Sequence, residues 1–335
     1  MMLILRERLE ILSFVNVLKV KFFYLKLMQG IVIKSTGSWY QVLEESEKKI
    51  YEARIRGKFK LIKTRLTNPL AVGDTVEFTL EQDDIAWITK IFPRKNYIIR
   101  KSVNLSKEAH IIASNMDLAC IIFTLKHPET SLGFLDRFLA CCESYDIKPL
   151  ILFNKVDVLS DEELEILNEM QAIYAEIGYE SLEISSYAHL NLEALKDFIK
   201  DKTSLFFGHS GSGKSTLVNA LQPDLNIKTG EISDVHLKGK HTTTFAQMHF
   251  WNFGGRVIDT PGVREFALID VEKEEIQHYF PEIFRMSQNC KFHNCLHINE
   301  PKCAVLEAVE SGVIEGSRYI NYLKLMEEAE EQQMK

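Results

Sequence analysis

Gly208-His209-Ser210-Gly211-Ser212-Gly213-Lys214-Ser215 is the stretch that decides the fold. It satisfies the pattern GxxxxGK[ST] at every fixed position. Thr203-Ser204-Leu205-Phe206-Phe207 before it reads as a strand, and Thr216-Leu217-Val218-Asn219-Ala220-Leu221 after it reads as a helix. A glycine loop between strand and helix is the context that gives the pattern its meaning. The glycines let backbone N–H groups close around phosphate oxygens, and the helix N-terminus adds a favourable dipole. Lys214 should then reach the β and γ phosphates, and the Ser215 hydroxyl should ligate Mg²⁺, with Thr216 counted among the binding residues. A chance Gly/Ser-rich turn is the competing reading, and the flanks weigh against it.

Asn154-Lys155-Val156-Asp157 follows Pro149-Leu150-Ile151-Leu152-Phe153, an apolar run of the kind buried on both faces of a parallel sheet. The motif therefore lies at a strand's C-terminal end, where open α/β sheets bind ligands. A carboxylate at Asp157 can accept hydrogen bonds from guanine N1–H and the 2-amino group. Adenine would leave it unpaired, which is the basis of strong discrimination. Asn154 would hold the loop and the purine, and Lys155 would pack along the base. Ser185-Ser186-Tyr187-Ala188 also sits at a strand end and is similar to the loop that supports the base in GTPases, although an ordinary serine turn fits it as well. Guanine reading thus precedes phosphate binding along the chain, the reverse of the usual GTPase order.

Asp259-Thr260-Pro261-Gly262 follows the strand-like Gly255-Arg256-Val257-Ile258 and fits a DxxG element. Asp259 would hold Mg²⁺ through water, and the Gly262 N–H would sense the γ-phosphate. Gly239-Lys240-His241-Thr242-Thr243-Thr244 offers three hydroxyls for the remaining Mg²⁺ position, and Thr243 is the choice among them. Val263 stands where Ras-like enzymes carry a glutamine that orients the attacking water. His241 is the local candidate to supply that function, because imidazole can orient or deprotonate water near neutral pH. A solvated switch residue or an RNA contact is the alternative role for His241.

With 335 residues the chain suits two or three domains. Hydrophobic content of 46% with 26% charged residues is that of a soluble globular protein. A net charge of -7 excludes a strongly basic coat, so any RNA contact must come from a local patch. Six cysteines without a secretion signal indicate buried thiols plus a metal site in a reducing, cytoplasmic setting rather than a disulfide framework. Residues 1–27 are apolar but interrupted by charge, too much so for a membrane span or a signal peptide. They read as an upstream extension of doubtful status, with Met28 the expected true start.

Residues 29 to about 95 read as short strands at Gly30–Lys34, Trp39–Leu43, Thr75–Thr79 and Ala86–Ile91, separated by turn residues. A small barrel of OB-fold type is the expected result. Arg54, Arg56, Lys58, Lys60, Lys63 and Arg65 form a basic stretch with no acidic residue among them, with Tyr51 and Phe59 nearby for stacking. A solvated strand face is the plainer reading of that stretch. Leu118–Phe123 reads as another buried strand, Leu135–Tyr145 and Asp161–Ile177 as helices, the latter capped by Ser160. This alternation predicts a parallel α/β sheet. Near the end, Cys290, Cys295, His297 and Cys303 supply three thiolates and an imidazole, the donor count of a closed structural Cys₃His zinc site. By spacing alone His293 rivals His297. An acidic tail, Glu327-Glu328-Ala329-Glu330-Glu331, closes the chain.

The set resembles the circularly permuted, small-ribosomal-subunit-dependent GTPases of the RsgA/YjeQ type. The resemblance rests on NKVD at 154–157, GHSGSGKS at 208–215, GKHTTT at 239–244, DTPG at 259–262 and the cluster at 290–303. It implies a multidomain α/β chain: an OB-fold RNA-binding domain at 28–97, a circularly permuted P-loop GTPase domain with a mostly parallel sheet at 98–268, and a helical zinc-binding domain at 269–335. It implies GTP hydrolysis to GDP during late assembly of the 30S subunit, stimulated by that subunit, with the subunit and its 16S rRNA as binding partners. One structural Zn²⁺ on Cys290, Cys295, His297 and Cys303, and Mg²⁺ with GTP, are implied as well. A cytoplasmic monomer without membrane contact is expected. The rival reading is an RNA-binding scaffold in which GTP acts only as a stability switch. Because the zinc domain follows the Asp259–Val263 switch directly, loss of the γ-phosphate is expected to move it relative to the barrel.

Overall fold

The computed structural model describes residues 27–56, 68–80, 85–101, 109–226, 246–259, 268 and 271–333. Alternation of inward and outward side chains builds the first unit. β1 (Leu27–Ser35), β2 (Tyr40–Glu44), β3 (Lys49–Ile55), β4 (Thr75–Leu80) and β5 (Ala86–Ile91) pair in the order β1-β2-β3-β5-β4, and β4 returns to β1. The closed barrel leaves none of these five as a free edge. Val32, Tyr40, Val42, Tyr51, Ala53, Val76, Phe78 and Ile88 fill it. The four expected strands are joined by β3, in which only Tyr51 and Ala53 are buried. Tyr51 packs on Phe78 inside the barrel and is not available for stacking on RNA.

A hairpin of β6 (Tyr97–Lys101) and β7 (Ala109–Ser114) leads out of the barrel. Asp74, fully buried, accepts hydrogen bonds from Arg94 Nε at 2.6 Å and from Ser114 Oγ at 2.6 Å, which fastens the barrel to that hairpin.

The second unit is a sheet whose central strands are buried on both faces. β8 (Leu118–Phe123), β9 (Pro149–Asn154), β10 (Glu180–Ile184), β11 (Thr203–Phe207), β12 (Gln247–Phe250) and β13 (Arg256–Asp259) lie in the order β10-β9-β8-β11-β13-β12. The β9–β10, β8–β9, β8–β11 and β11–β13 pairs are parallel, and β12 alone runs antiparallel to its neighbour. Four helices follow from the intervening sequence: α1 (Leu132–Ser144), α2 (Asp161–Ile177), α3 (Leu192–Ile199) and α4 (Lys214–Leu221). Leu118, Cys120, Ile122, Leu150 and Leu152 point to α3 and α4, while Ala119, Ile121, Phe123, Ile151 and Phe153 join the core of α1 and α2. Ser160 caps α2 in a reciprocal box with Glu163. At Lys34↔Gln247 strand β1 pairs with β12, so barrel and central sheet form one eleven-stranded sheet.

The third unit begins with a 3₁₀ helix at Lys273–Tyr279 and continues through α5 (Pro281–Ser287), α6 (Ala304–Glu310) and α7 (Gly316–Gln333). Its apolar residues share one core with α1 and α2. Arg318 of α7 is 1% exposed. It donates to Asp136 of α1 at 2.8 Å and to Glu282 of α5 at 2.7 Å. Asp136 also accepts from Tyr174 Oη of α2 at 2.8 Å and from Asn321 Nδ2 of α7 at 2.6 Å. The expected acidic tail is instead the end of α7, where Glu328 pairs with Arg137 and Glu330 with Lys273. The C-terminal unit is therefore held by packing on α1 and α2, and not by chain continuity alone. Among the described residues no helix is long and apolar enough to cross a membrane.

Removing one partner of a buried ion pair strands the others in low dielectric. Arg318→Ala should cost about 3–5 kcal/mol of stability in a denaturant titration. A loss below about 1 kcal/mol, the range of exposed pairs, would show that this network does not hold the two units together.

Candidate nucleotide site and metal centre

Parallel pairing brings the C-terminal ends of β9, β10, β11 and β13 to one edge of the sheet, and with them Asn154, Ser185, Gly208 and Asp259. Asn154 is buried and ties three loops together. Its Nδ2 donates to Ser212 O at 2.8 Å, and its Oδ1 accepts from Ser186 N and Ser186 Oγ, both at 3.0 Å. Ser185 Oγ in turn accepts from Ala188 N at 2.8 Å, which shapes the serine loop. The two serines and the asparagine thus meet, as the pattern implied. Asp157 is exposed in a single 3₁₀ turn, Val156–Val158, open to a ligand. Lys155 takes a left-handed conformation, and its ammonium donates to Gly211 O at 2.7 Å and to His127 O. In this geometry it braces the phosphate loop rather than lying free along a base.

The phosphate loop uses its glycines for close approach. At Gly208 an added β-carbon would lie 2.5 Å from Ser212 Oγ. At Gly213, with φ +100°, it would collide with Asn154 Nδ2. Gly213 precedes α4, and among the described residues no side chain caps that helix and no acid lies in its first turn. Its leading N–H groups are left for an anion. Ser210 and Gly211 are exposed, Ser215 is half-buried and Thr216 exposed. Ser212 Oγ is buried without a hydrogen-bond partner among the described residues. Burial pushes the Lys214 ammonium below the usual lysine range, and the Asp259 carboxylate acts in the opposite direction, which places Asp259 within electrostatic reach of Lys214. His209 lies against Phe134 of α1, ring centroids 3.8 Å apart. His241, Thr243 and Gly262 lie outside the described residues.

In the third unit the donor atoms of Cys290, Cys295, His297 and Cys303 all lie within 4.8 Å of one another, while His293 is exposed outside the group. Cys290 Sγ and Cys303 Sγ are 3.8 Å apart, and His297 Nδ1 is 3.6 Å and 3.4 Å from them. Tetrahedral bonds of about 2.3 Å to zinc put two sulfurs about 3.8 Å apart, so the spacing fits. Burial pushes the Cys295 thiol up to about 12 and raises that of Cys303, so a cation is the group that would make thiolates favourable there. Burial lowers His297, favouring the neutral, ligating imidazole. His297 Nε2 stands 3.0 Å from Gln277 Oε1, which leaves Nδ1 to face the thiols. Glu300 accepts from Leu296 N at 2.7 Å and Ile298 N at 2.8 Å, and Tyr319 Oη donates to His297 O at 2.7 Å, fixing the knuckle.

On the barrel, Arg54 and Arg56 are exposed on and just after β3. The Arg54 guanidinium lies 3.7 Å from the Trp39 ring. Lys58, Lys60, Lys63 and Arg65 lie outside the described residues. Among the site's supports, Phe134, His127 and Gln277 carry no motif of their own. Their roles arise from contacts between elements far apart in the chain.

A permuted P-loop site beside a small barrel and a Cys₃His cluster defines a class of GTPase, and comparison with known proteins identifies which. The RsgA GTPase family matches residues 91–269, and the RsgA N-terminal domain matches residues 29–88. The small ribosomal subunit biogenesis GTPase RsgA of Christiangramia forsetii is 52% identical over 307 residues, covering 91% of this chain and 97% of the relative. The protein of the same name from Bacteroides fragilis is 50% identical over 304 residues, covering 91% and 98%. The crystal structure of YjeQ from Thermotoga maritima superposes with a TM-score of 0.74 at 33% identity, covering 90% of this chain and 98% of that one. YloQ, described as a circularly permuted GTPase, gives 0.71 at 33% identity, covering 93% and 98%. This chain belongs to the RsgA family of circularly permuted GTPases.

Gly213→Ala would force a β-carbon into a left-handed backbone position and against Asn154. GDP affinity should fall by roughly tenfold or more in a fluorescence titration, in line with the cost of such strain. Unchanged affinity would separate the Asn154–Ser212 contact from nucleotide binding.

Proposed function

We propose that this GTPase binds GTP at Asn154–Asp157, Ser185–Ser186, Gly208–Thr216, Asp259 and Gly262, and hydrolyses it during late assembly of the small ribosomal subunit, with hydrolysis stimulated by that subunit. The observation that carries the nucleotide reading is the Asn154 amide, which joins guanine-reading, serine and phosphate loops at one sheet edge. The names of the relatives, which describe small-subunit biogenesis GTPases, support the biological setting.

Asp157 reads guanine, and Lys214 neutralises phosphate charge. Ser215, Asp259 and Thr243 would hold Mg²⁺, which supplies charge neutralisation between the phosphates. The half-buried Ser215 at the start of α4 and the Asp259 carboxylate within electrostatic reach of Lys214 suit that ion. His241 is the proposed water-orienting group in place of the missing glutamine. Cys290, Cys295, His297 and Cys303 would hold one Zn²⁺ whose role is structural, because four protein donors leave no open position. We divide the chain into a barrel at 28–97, a GTPase domain at 98–268 and a zinc domain at 269–335. The barrel contacts 16S rRNA through the basic stretch Arg54–Arg65. The protein works in the cytoplasm as a monomer.

GTP turnover with and without purified 30S subunits tests the reading. Turnover should rise with 30S and stay low with the 50S subunit, and stimulation only by another RNA would overturn the assignment. Asp157→Asn should tilt base choice toward xanthine, because an amide can accept from N1–H and donate to the 2-oxo group. GTP affinity should fall by about 2–4 kcal/mol while XTP binding is gained. Retained GTP preference would remove Asp157 from the guanine contact.

A further inference from the structure

Phe134 lies in the first turn of α1, outside every nucleotide motif, yet its ring touches the phosphate loop. It faces the His209 imidazole at 3.8 Å between centroids, planes tilted by 31°, and stacks on Phe207 at 5.5 Å. The last residue of β11 and the second residue of the loop therefore rest on the same side chain. His209 O accepts from Ser212 N at 3.1 Å, so the place of His209 sets the turn that carries the loop's inner N–H groups. Burial pushes His209 below the usual histidine range, which keeps the imidazole neutral and suited to stacking on a ring.

Helix α1 is itself immobilised next to Phe134. An added β-carbon on Gly133 would lie 3.3 Å from Asn321 Oδ1, a measure of how closely α7 approaches. Two residues beyond Phe134, Asp136 receives Arg318, Asn321 and Tyr174. Arg137 adds the pair with Glu328. Adjacent side chains of one helical turn thus hold the phosphate loop on one side and the zinc-domain helices on the other.

We infer that Phe134 is a positioning residue for phosphate binding: acting through His209, it fixes the loop in its gripping shape, with α1 as the strut that ties that shape to the C-terminal helices. The inference rests on the reading that Gly208–Ser215 holds the phosphates.

The test compares GDP with GMP, because the loop's grip on the β-phosphate is what favours the diphosphate. Affinities of the full chain are measured by competition against a fluorescent GDP analogue. Phe134→Leu keeps an apolar side chain and removes the ring. The GDP-to-GMP preference should fall by roughly tenfold, the size of one aromatic contact, with GMP affinity changed less than about twofold. Phe134→Tyr retains the ring and should restore the preference. In a His209→Ala background Phe134→Leu should add little, because the two side chains act as a unit. Equal losses for GDP and GMP, no rescue by tyrosine, or additive effects with His209→Ala would each overturn the inference. Lys214→Ala separates the two levels of the claim. If it leaves the preference intact, the phosphate-loop reading itself fails. If it collapses the preference and Phe134→Leu does not, only the positioning role fails.

Discussion

The Asn154 side chain is the contact on which the nucleotide site depends. A carboxamide carries both donors and an acceptor, so one residue can bind a carbonyl on one side and N–H and O–H groups on the other. Here it takes Ser212 O on the phosphate loop and Ser186 N and Oγ on the serine loop. Aspartate in its place would put a carboxylate against Ser212 O, and leucine would leave both loops' polar groups unpaired in a buried setting. Gly213 is constrained by the same contact, since its missing β-carbon is the space that Asn154 Nδ2 occupies. The asparagine, serine and phosphate loops are therefore one piece of structure, although 58 residues separate Asn154 from Ser212.

The second organising element is α1. Its apolar side closes one face of the central sheet with Leu135, Phe138 and Leu139, all fully buried. Its polar residues on the remaining side bind the C-terminal helices through Asp136 and Arg137. Buried charges are tolerated here because each is answered: Asp136 has three donors, and Arg318 has two carboxylates. Such networks bring little net stability compared with apolar packing, but they punish misplacement severely. The Cys/His cluster and the GTPase helices consequently share one core.

Much of this was legible in the residues. Loop motifs are read by spacing, so the phosphate loop, Asn154–Asp157 and the serine loop sit where the pattern put them. Buried parallel strands are read as apolar runs, and β11 has the bounds its sequence implied, Thr203–Phe207. The Ser160 cap marks the start of α2 because capping is local chemistry. What was not legible depends on contacts between distant segments. β3 carries Lys49, Glu52 and Arg54 outward and buries only two residues, so its alternation is faint. Glu327–Glu331 is acidic enough to look like a solvated tail, but Arg137 and Lys273, far away in the chain, hold it as helix. Lys155 is aimed by the Gly211 and His127 carbonyls, and neither partner announces itself in sequence. The rivalry of His293 and His297 is decided by geometry, with His297 turned inward by Gln277.

The sheet order shows what the reversed chain accomplishes. β11, which carries the phosphate loop, has β8 on one side and β13 on the other. In the permuted chain β8 is the first strand of the sheet and β13 the last. The chain therefore enters at the N-terminal end of one neighbour of β11, away from the nucleotide edge, and leaves from the C-terminal end of the other, at Asp259. With the usual order the chain would start on β11 and end on β10, at the margin of the sheet. Permutation thus moves the exit from the margin to the strand beside the phosphates. β12, the margin of the central sheet under either order, is the strand that meets the barrel at Lys34↔Gln247. Since β12 pairs with β13 from Gln247 to Phe250, the barrel is one strand removed from Asp259. The C-terminal helices reach the same site through α1 and His209. Both outer units thus make packed contacts with the elements that carry the phosphate loop and Asp259, and a close-packed interior yields little to local displacement.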